Sequence, residues 1–351
     1  MQDSNFILKI DDTLELRLLH KNDAEALFCL VEENRQYLSQ FLGWLPLNTS
    51  EEDTRVFISQ QTDKMGRGEA FVAAIRYKEK LVGILAFQEL DALNRTGTIA
   101  YWLDEGHQGK GVMTKSVKAL MDYGIYAREL HRIDIYCAVE NVKSQGIPLR
   151  LGYEKEGTLR EAIWHRADEY FDAYAYGYIF PESSRVLETE RMVLRELNMG
   201  DVDNLQRILA DPEAMRYYPG TMNKEETKEW IQRQLDRYEN KGTSIWACHL
   251  KETGEFVGQC GLIPWPDIDG REELEIGYLF VREHWKKGLA TEAAIACKKY
   301  ARDKLGITRL ISLIRPENTP SRAVAERNGM TVEKEIVFMG FQVQVYCTEK
   351  E

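Results

Sequence analysis

The chain has 351 residues, of which 44% are hydrophobic and 29% charged, the proportions of a globular protein with room for two domains. A formal net charge of −11 argues against nucleic acid or an anionic membrane surface as the main partner, and no apolar run is long enough to cross a membrane. The N-terminus lacks a signal-peptide pattern, the cysteines form no Cys-x-x-Cys pair and the histidines show no metal-ligand spacing, so we expect free thiols, no metal site and a cytoplasmic protein.

The predicted elements of the first half alternate between strands and helices. Short strands at 6–10 and 14–19 precede a helix that begins at Asp23, and Ser50 caps a second helix. Between these helices, an apolar and aromatic segment at 41–46 is either a packed connector or a flap over a ligand. The elements that follow are strands at 70–77, 81–89 and 98–103, a helix from 112, a strand at 132–139, a helix from Asn141 and closing strands at 154–164 and 171–180.

A glycine-rich turn joins the strand at 98–103 to the next helix. Its glycines are Gly106, Gly109 and Gly111, and the apolar stripe of the helix is Met113, Val117, Leu120 and Gly124. Such a turn directs free backbone N–H groups and the positive end of the helix dipole at one place, where an anion can bind. The spacing fits neither the dinucleotide fingerprint nor the Walker loop. Taken alone, an ordinary tight turn explains it as well.

The same pattern recurs in the second half of the chain. One constant shift carries Tyr101 onto Tyr278, Gly111 onto Gly288, Thr114 onto Thr291, Arg132 onto Arg309, Asn141 onto Asn318, Ser144 onto Ser321 and Glu156 onto Glu333. A register held this steadily indicates one fold present twice. We therefore predict domains at residues 1–181 and 185–351, joined by a polar linker that contains Pro181.

Three motifs of the first half together resemble the GNAT superfamily of acetyl-CoA-dependent N-acetyltransferases. They are Tyr-Trp-Leu-Asp-x-x-His-Gln-Gly-Lys-Gly at 101–111, Ala-Val-Glu-Asn-x-Lys-Ser at 138–144 and Arg-Leu-Gly-Tyr-x-x-Glu-Gly at 150–157. The second half resembles the family through Glu-Ile-Gly-Tyr at 275–278 and Trp-Lys-Lys-Gly-Leu-Ala-Thr-Glu-Ala at 285–293. The most similar group is the RimJ/RimL type, which acetylates ribosomal-protein N-termini. The resemblance implies an α+β fold with two tandem GNAT domains, each a central mixed, split β-sheet flanked by helices.

The resemblance also implies acetyl-CoA as the cofactor, with its pantetheine arm in the split of each sheet and its pyrophosphate on the amides of each glycine turn. The residues implied in the first half are Leu103, Asp104, Gln108, Gly109, Lys110, Gly111, Val112, Met113, Thr114 and Asn141. Those implied in the second half are Phe280, Val281, Lys286, Lys287, Gly288, Leu289, Ala290, Thr291 and Asn318. The lysines Lys110 and Lys287 either attract the coenzyme or are simply solvated. Asn141 and Asn318 either bind pantetheine or only cap helices.

An amine must lose a proton before it attacks a thioester, and the departing thiolate needs a proton donor. Ser144 and Ser321 are the candidate donors. The resemblance implies Glu275 as the base of the second half, but Thr98 at the matching position cannot take up a proton, so Glu161, Glu105 or a chain of water molecules would serve in the first half. In the second turn, Lys286 replaces Gly109 and would strain the backbone if this position needs a positive φ.

Three hypotheses for the activity follow. The first is acetylation of the amine of a protein N-terminus, with a ribosomal protein as one candidate. The second is acetylation of a small molecule such as a polyamine, an amino acid or an amine antibiotic. In the third, one domain is a non-catalytic binding or structural module. The expected partner is an amine-bearing substrate, with no nucleic acid and no membrane, and the oligomeric state stays open.

Overall fold

The structure is a computed structural model that describes residues 6–166 and 169–348. The chain divides into two compact units, Met1–Pro181 and Glu182–Glu351, and a short 3₁₀ helix at Glu182–Ser184 lies where the sequence predicts the linker. Each unit contains one eight-stranded sheet flanked by helices, which confirms the predicted fold class. In the described part of the chain, no helix is both long and apolar enough to span a membrane.

The first unit forms a mixed sheet. Its strands are β1 (Ile7–Lys9), β2 (Leu14–Leu18), β3 (Phe71–Tyr77), β4 (Lys80–Asp91), β5 (Thr96–Leu103), β6 (Arg132–Ala138), β7 (Glu154–Arg166) and β8 (Glu169–Ile179). Its helices are α1 (Ala24–Glu33), α2 (Arg35–Leu38), α3 (Glu51–Gly66), α4 (Val112–Asp122) and α5 (Val142–Arg150). The strand order is β1-β2-β3-β4-β5-β6-β8-β7, and the one parallel pair among these described strands is β5–β6.

The predicted split in the sheet lies between β5 and β6. Their ladder pairs Thr96 through Ile99 with Arg132 through Ile135, and no further pairs are formed among the described residues. The carboxyl-terminal half of β5 therefore keeps free hydrogen-bonding groups on its β6 side. Because both strands run toward this opening, the loops that follow them meet there, as at the carboxyl ends of other parallel strands.

The second unit repeats this plan. Its strands are β9 (Arg185–Glu188), β10 (Met192–Glu196), β11 (Ile245–Leu250), β12 (Phe256–Trp265), β13 (Glu273–Phe280), β14 (Ile311–Ile314), β15 (Met330–Phe338) and β16 (Phe341–Thr348). Its helices are α6 (Val202–Leu209), α7 (Lys224–Lys241), α8 (Leu289–Leu305) and α9 (Thr319–Arg327). The order is β15-β16-β14-β13-β12-β11-β10-β9, and the parallel pair β13–β14 is held by the single register pair Glu275–Ile311.

The helix after each glycine turn packs on one face of its sheet. In α4 the predicted stripe of Met113, Val117 and Leu120 is buried. The stripe ends at Gly124 in a π-helical turn, Tyr123–Ala127, which the sequence analysis did not predict. A Cβ atom on Gly124 would lie 2.7 Å from Phe87 Cζ, so the glycine lets this turn approach β4.

The matching helix of the second unit is built from smaller side chains. Ala294, Cys297 and Ala301 of α8 match Val117, Leu120 and Gly124 of the first stripe and are fully buried in the core, while Ala290, which matches Met113, is partly buried. The cysteines are free thiols: Cys137, Cys248, Cys260 and Cys297 are buried, Cys347 is partly buried and Cys29 is exposed. This agrees with the expectation of free thiols in apolar surroundings.

Candidate active site

The glycine turn of the first unit presents an uncapped helix N-terminus. Gly109 and Gly111 have φ angles of 72° and 75°, and Gly111 is the N-cap residue of α4. Within residues 6–166 and 169–348, no side chain accepts a hydrogen bond from the first amides of α4. By contrast, Ser50 caps α3 and Asn141 caps α5 through side-chain oxygens. The first turn of α4 is therefore free to donate to an anion, as the sequence predicts.

A cavity of about 800 Å³ opens in front of this turn. The predicted coenzyme residues that line it are Leu103, Gln108, Gly109, Gly111, Val112, Met113, Thr114 and Asn141. The opposite wall comes from α2 and the segment after it, through Tyr37, Leu38, Phe41 and Leu42. The structure thus brings most of the predicted residues of the first unit together around one space.

Two of the predicted coenzyme residues of the first unit do not line the cavity. The Asp104 carboxylate accepts a hydrogen bond from the His107 backbone N–H at 3.1 Å, and it lies 2.7 Å from His107 Nδ1. The backbone N–H of Asp104 donates to Val82 O at 2.9 Å, so this amide does not face the split. Lys110 donates from Nζ to Gly106 O at 2.8 Å and is exposed. Of the two alternatives for Lys110, a solvated lysine describes this geometry better.

Tyr101, Ser144 and Cys137 meet beside the cavity where the sheet splits. Ser144 Oγ donates to the Tyr101 hydroxyl at 3.1 Å, and this hydroxyl donates to Ser144 O at 3.0 Å. Cys137 Sγ lies 3.3 Å from Ser144 Oγ. Burial raises the pKa of the Tyr101 hydroxyl and of the Cys137 thiol, so both groups keep their protons at neutral pH.

The second unit repeats the tyrosine–serine contact. The Tyr278 hydroxyl donates to Ser321 O at 2.8 Å, and burial raises the pKa of this hydroxyl well above its usual range. The sequence predicts the serines as proton donors, and the structure adds the two tyrosines. The signal was available, because Tyr101 and Tyr278 recur at the same shift as the two serines.

Asn141 and Asn318 act as helix caps. Asn141 Oδ1 accepts from Ser144 N at 3.1 Å, and Asn318 Oδ1 accepts from Ser321 N at 3.2 Å. The capping role is therefore confirmed for both residues. The caps also fix the two serines at the start of α5 and α9. Since Asn141 lines the cavity as well, its role in binding the pantetheine arm stays a prediction.

The glycine turn of the second unit has the same shape but a strained residue. Lys286 adopts a φ of 61° where Gly109 stands in the first unit, and Gly288 has a φ of 79°. This confirms that the position requires a positive φ. Gly288 caps α8 without any side-chain bond, so the first amides of α8 are also uncapped.

Replacing Lys286 with glycine is expected to raise the free energy of unfolding of the second unit by about 1 kcal/mol, because a left-handed backbone costs a residue with a Cβ roughly that much. The matched variant Gly109→Lys should lower the stability of the first unit by a similar amount. No atom lies within 4 Å of a Cβ built on Gly109, so backbone strain is the cost there. Urea unfolding of the full chain measures both changes, and changes of the same sign would contradict this explanation.

Each glycine turn has an ion pair beside it, and the positive and negative partners of this pair exchange places between the units. In the first unit Lys115 Nζ lies 2.7 Å from Asp11 Oδ2. In the second, Glu292 takes the place of the lysine on the helix, and its carboxylate lies 2.6 Å from Arg191 Nε. Arg191 also donates to Lys287 O at 2.9 Å. A positive group thus belongs to the helix in one unit and to the loop between the first strands in the other.

The other predicted residues of the second unit surround its turn. Phe280 and Leu289 are buried, while Lys287 is exposed and Ala290 and Thr291 are partly buried. Phe280 O accepts a hydrogen bond from Trp285 Nε1 at 2.7 Å, and Val281 N donates to Val257 O at 3.0 Å. The Val281 amide is therefore engaged by the strand on the β12 side, and the Phe280 carbonyl oxygen is engaged by a side chain of its own unit.

Glu275 has the environment of a general base. Trp265 Nε1 donates to its Oε2 at 2.6 Å, and Leu313 N donates to its Oε1 at 3.2 Å. Burial outweighs these hydrogen bonds and raises the pKa of Glu275 to about 7. A carboxylate with this pKa is partly ionised at neutral pH and still basic enough to accept a proton efficiently.

The candidate bases of the first unit are less well placed. Glu161 is exposed on β7 with a φ of 49°, its N–H donates to Asp172 Oδ1 at 2.8 Å, and it does not line the cavity. Glu105 lines the cavity but follows the end of β5, where its N–H donates to Asn34 Oδ1 at 3.0 Å. The structure therefore gives no contact that supports Glu161 as the base.

The recurring arginines and glutamates form ion clusters at the sheet edge. Arg132 Nη1 lies 2.8 Å from Glu156 Oε1, and Arg132 Nη2 lies 2.6 Å from Asp134 Oδ1. In the second unit, Arg309 Nη2 lies 2.7 Å from Glu333 and 2.8 Å from Glu273. The Arg132–Glu156 pair joins β6 to β7 across β8, which lies between them, and neither residue lines the cavity.

The apolar segment at 41–46 combines both roles considered for it. Phe41 and Leu42 line the cavity, whereas Gly43 packs against the backbone of β7. A Cβ on Gly43 would lie 2.3 Å from His165 O and 2.6 Å from Trp164 O. The segment is thus a packed connector that also forms part of the cavity wall.

Replacing Gly43 with alanine should destabilise this segment by about 1–3 kcal/mol, because the clash is with backbone atoms that cannot rotate away. The expected result is a higher KM for the amine acceptor with an unchanged affinity for the coenzyme, since the glycine turn is not touched. Steady-state kinetics and calorimetry on the full chain measure the two effects. An unchanged KM would show that this segment does not take part in acceptor binding.

Comparisons with known proteins agree with this geometry. The model of the acetyltransferase (GNAT) domain family matches residues 13–154 and again residues 191–331. The chain is 35% identical over 172 residues to the ribosomal-protein-serine acetyltransferase of Escherichia coli (strain K12), which spans 49% of this chain and 96% of that protein. It is 26% identical to the ribosomal protein uS5-alanine N-acetyltransferase of the same organism, across 43% of this chain and 80% of that protein.

A solved structure of RimL, the ribosomal L7/L12 alpha-N-protein acetyltransferase, in complex with coenzyme A is 32% identical and has a TM-score of 0.48; the match covers 50% of this chain and 98% of that one. Each of these relatives aligns with about half of the present chain. The family model matches twice, once in each unit with its split sheet and uncapped helix. The chain therefore belongs to the GNAT acetyltransferase family, as an enzyme that carries the acetyltransferase domain in two tandem copies.

Proposed function

We propose that this enzyme transfers the acetyl group of acetyl-CoA to the primary amine of a protein N-terminus. The observation that carries the proposal is the uncapped N-terminus of α4, which follows two positive-φ glycines and opens into the cavity beside the split. Names of the relatives support a protein acceptor, since those proteins act on ribosomal proteins. Such acceptors are made in the cytoplasm, where we propose that the enzyme acts.

The coenzyme-binding role of the first unit rests on its backbone. Gly109 and residues 111–114 line the cavity, and their amides offer donors to a diphosphate, with the dipole of α4 behind them. The unpaired edge of β5 offers backbone groups to an amide-containing chain that enters the split. Both features fit coenzyme A, whose phosphate and pantetheine parts need these two kinds of partner. When bound, the coenzyme supplies the acetyl thioester.

The chemistry that we assign to the second unit uses three side chains. Glu275 accepts the proton that the ammonium group of the acceptor must lose before it can attack. Tyr278, which keeps its proton because burial raises its pKa, donates to the departing sulfur together with Ser321. A thiolate with a pKa near that of cysteine needs only a weak donor. No covalent intermediate with the enzyme is required.

In the first unit Tyr101 and Ser144 form the equivalent donor pair, linked through both of their hydroxyl groups. We propose that each unit, 1–181 and 185–351, works as a domain with its own cleft. The differences between the units favour unequal activity: Thr98 stands where the second unit has Glu275, and Lys286 stands where the first has Gly109. In the extreme case, one domain would have no catalytic activity and would serve only for binding or structural support.

The experiment is a thiol-release assay with acetyl-CoA and three sets of acceptors: N-terminal peptides, polyamines and aminoglycosides. Mass spectrometry of the products identifies the acetylated nitrogen. We expect acetylation of the peptide α-amine. Release of thiol with the small amines alone would replace the protein acceptor by a small molecule, and no thiol release with any acceptor would contradict the proposed function.

A further inference from the structure

In the first unit, Thr98 stands at the position of Glu275 and has no carboxylate. The two neighbouring strands each carry a carboxylate directly beside it. Thr98 is paired with Glu89 on β4 and with Asp134 on β6. Residues directly opposite on neighbouring strands point to the same face of a sheet, so both carboxylates share the face of Thr98. The second unit has the reverse arrangement. There Glu275 is paired with Ile263 and Ile311, both apolar.

A β-bulge turns Glu89 toward this face. The β4–β5 register shifts between Phe87 and Glu89, so that Gln88 is the extra residue. Phe87 is fully buried against the π-helical turn on the α4 side of the sheet. Without the bulge, Glu89 would point to that same side, because side chains alternate along a strand. Bulges next to active sites often redirect a side chain in this way.

The matching strands of the second unit have no such shift. β12 and β13 stay in register from Gly258 to Trp265. The bulge therefore occurs in the unit whose central strand lost the carboxylate, and it is absent from the described strand pair of the unit that kept it. A carboxylate on the neighbouring strand can replace the lost one only if the bulge turns it to the same face. The stability of the sheet alone does not explain why the bulge and the loss occur in the same unit.

Of the two carboxylates, Glu89 is the one available for proton transfer. Asp134 is held 2.6 Å from Arg132, which also binds Glu156. Glu89 forms no ion pair or side-chain hydrogen bond with any residue in the ranges 6–166 and 169–348, and it is exposed. It lines a second cavity, of about 490 Å³, together with Thr96 and Thr98.

Tyr136 lies at the edge of the split. It lies two residues after Asp134 on β6, just beyond the last β5–β6 ladder pair. Burial raises the pKa of its hydroxyl, and the negative charges of Asp134, Glu156 and Glu89 raise it further, while Arg132 lowers it. The charge of Glu89 is therefore felt by a residue at the edge of the opening.

We propose that Glu89 is the general base of the first unit, where it replaces the carboxylate that Thr98 lacks. The inference rests on the proposed acetyl transfer. One N–H bond of the ammonium breaks, its electron pair stays on nitrogen, and the proton passes through water to the Glu89 carboxylate. The nitrogen then forms the C–N bond while the C–S bond breaks. Nitrogen loses a second proton to solvent, which balances the proton that Tyr101 and Ser144 supply to sulfur.

The test uses the full chain with Glu275→Gln, so that turnover comes from the first unit. Adding Glu89→Gln is expected to lower kcat for an N-terminal peptide by at least about 30-fold, within the range of general-base effects. The affinity for acetyl-CoA, measured by calorimetry, should stay the same. The matched control is Glu79→Gln, an exposed carboxylate at the other end of the β3–β4 hairpin, which should keep full turnover.

Restoration by Thr98→Glu is the more specific result. This change places a carboxylate where the second unit has one, and it should recover at least about a tenth of the turnover lost in Glu89→Gln. Turnover of Glu89→Gln within twofold of its parent would overturn the assignment. So would a loss found with Asp134→Asn but not with Glu89→Gln. A wild-type chain that binds acetyl-CoA and acetylates no amine would instead remove the proposed function, and this assignment with it.

Discussion

Replacing Gly111 with aspartate is expected to abolish coenzyme binding by the first unit and to leave the second unit unaffected. The substitution puts a carboxylate beside the uncapped amides of α4, in the place where the coenzyme diphosphate would bind. Like charges in contact cost several kcal/mol, so an affinity loss of about 100-fold or more is expected. Calorimetry with acetyl-CoA on the full chain measures it as the loss of one binding event.

The matched control is Gly111→Ala. Alanine suffers the same backbone strain at a φ of 75°, and no atom lies within 4 Å of its Cβ, but it adds no charge. We expect it to lower the stability of the first unit by about 1 kcal/mol and to weaken binding far less than aspartate does. Equal losses of affinity in the two variants would show that the turn acts through its shape and not as an anion site.

The second large effect is expected at Glu275. In the Gly111→Asp background, where turnover comes from the second unit, Glu275→Gln should lower kcat by about 10²- to 10⁴-fold, because glutamine keeps the shape but cannot accept a proton. Glu272→Gln, an exposed carboxylate just before β13, is the control and should have no effect. Loss of coenzyme affinity in place of kcat would contradict the role as base.

The pH profile gives an independent reading of the same residue. With a pKa of about 7, Glu275 is protonated and inactive below this pH and ionised above it. The kcat of the second unit should therefore rise as the pH increases through about 7 and level off once the carboxylate has lost its proton. This step should be missing from the residual activity of Glu275→Gln. A profile that is flat between pH 6 and 8 in the parent would contradict the assignment.

The fold could be predicted well from the sequence because the main evidence was a repeat within the chain itself. The recurrence of Tyr101, Gly111 and Ser144 at one shift established two copies, and the apolar stripes and capping residues placed the helices. The positive φ of Lys286 followed from its alignment with Gly109. Such features depend on residues close together in the chain, which pattern reading captures.

The parts that escaped prediction depend on contacts between distant residues. Whether Glu89 faces the α4 side or the Thr98 side is decided by one extra residue in β4, and the alternation of the sequence alone does not show this. The contact of Tyr101 with Ser144 joins β5 to α5 across the split. Arg132 and Glu156 recur in the sequence without showing what they do, and the structure shows that they form an ion cluster that stabilises the sheet.

The most direct measurement is a crystal structure of the full chain grown with coenzyme A. We predict coenzyme in each unit, with its diphosphate on the amides of 109–114 and of 286–291 and its pantetheine arm along the free edges of β5 and β13. Coenzyme in the first unit alone would show that Lys286 and Glu292 have ended binding in the second. Coenzyme absent from both clefts at saturating concentration would contradict the account.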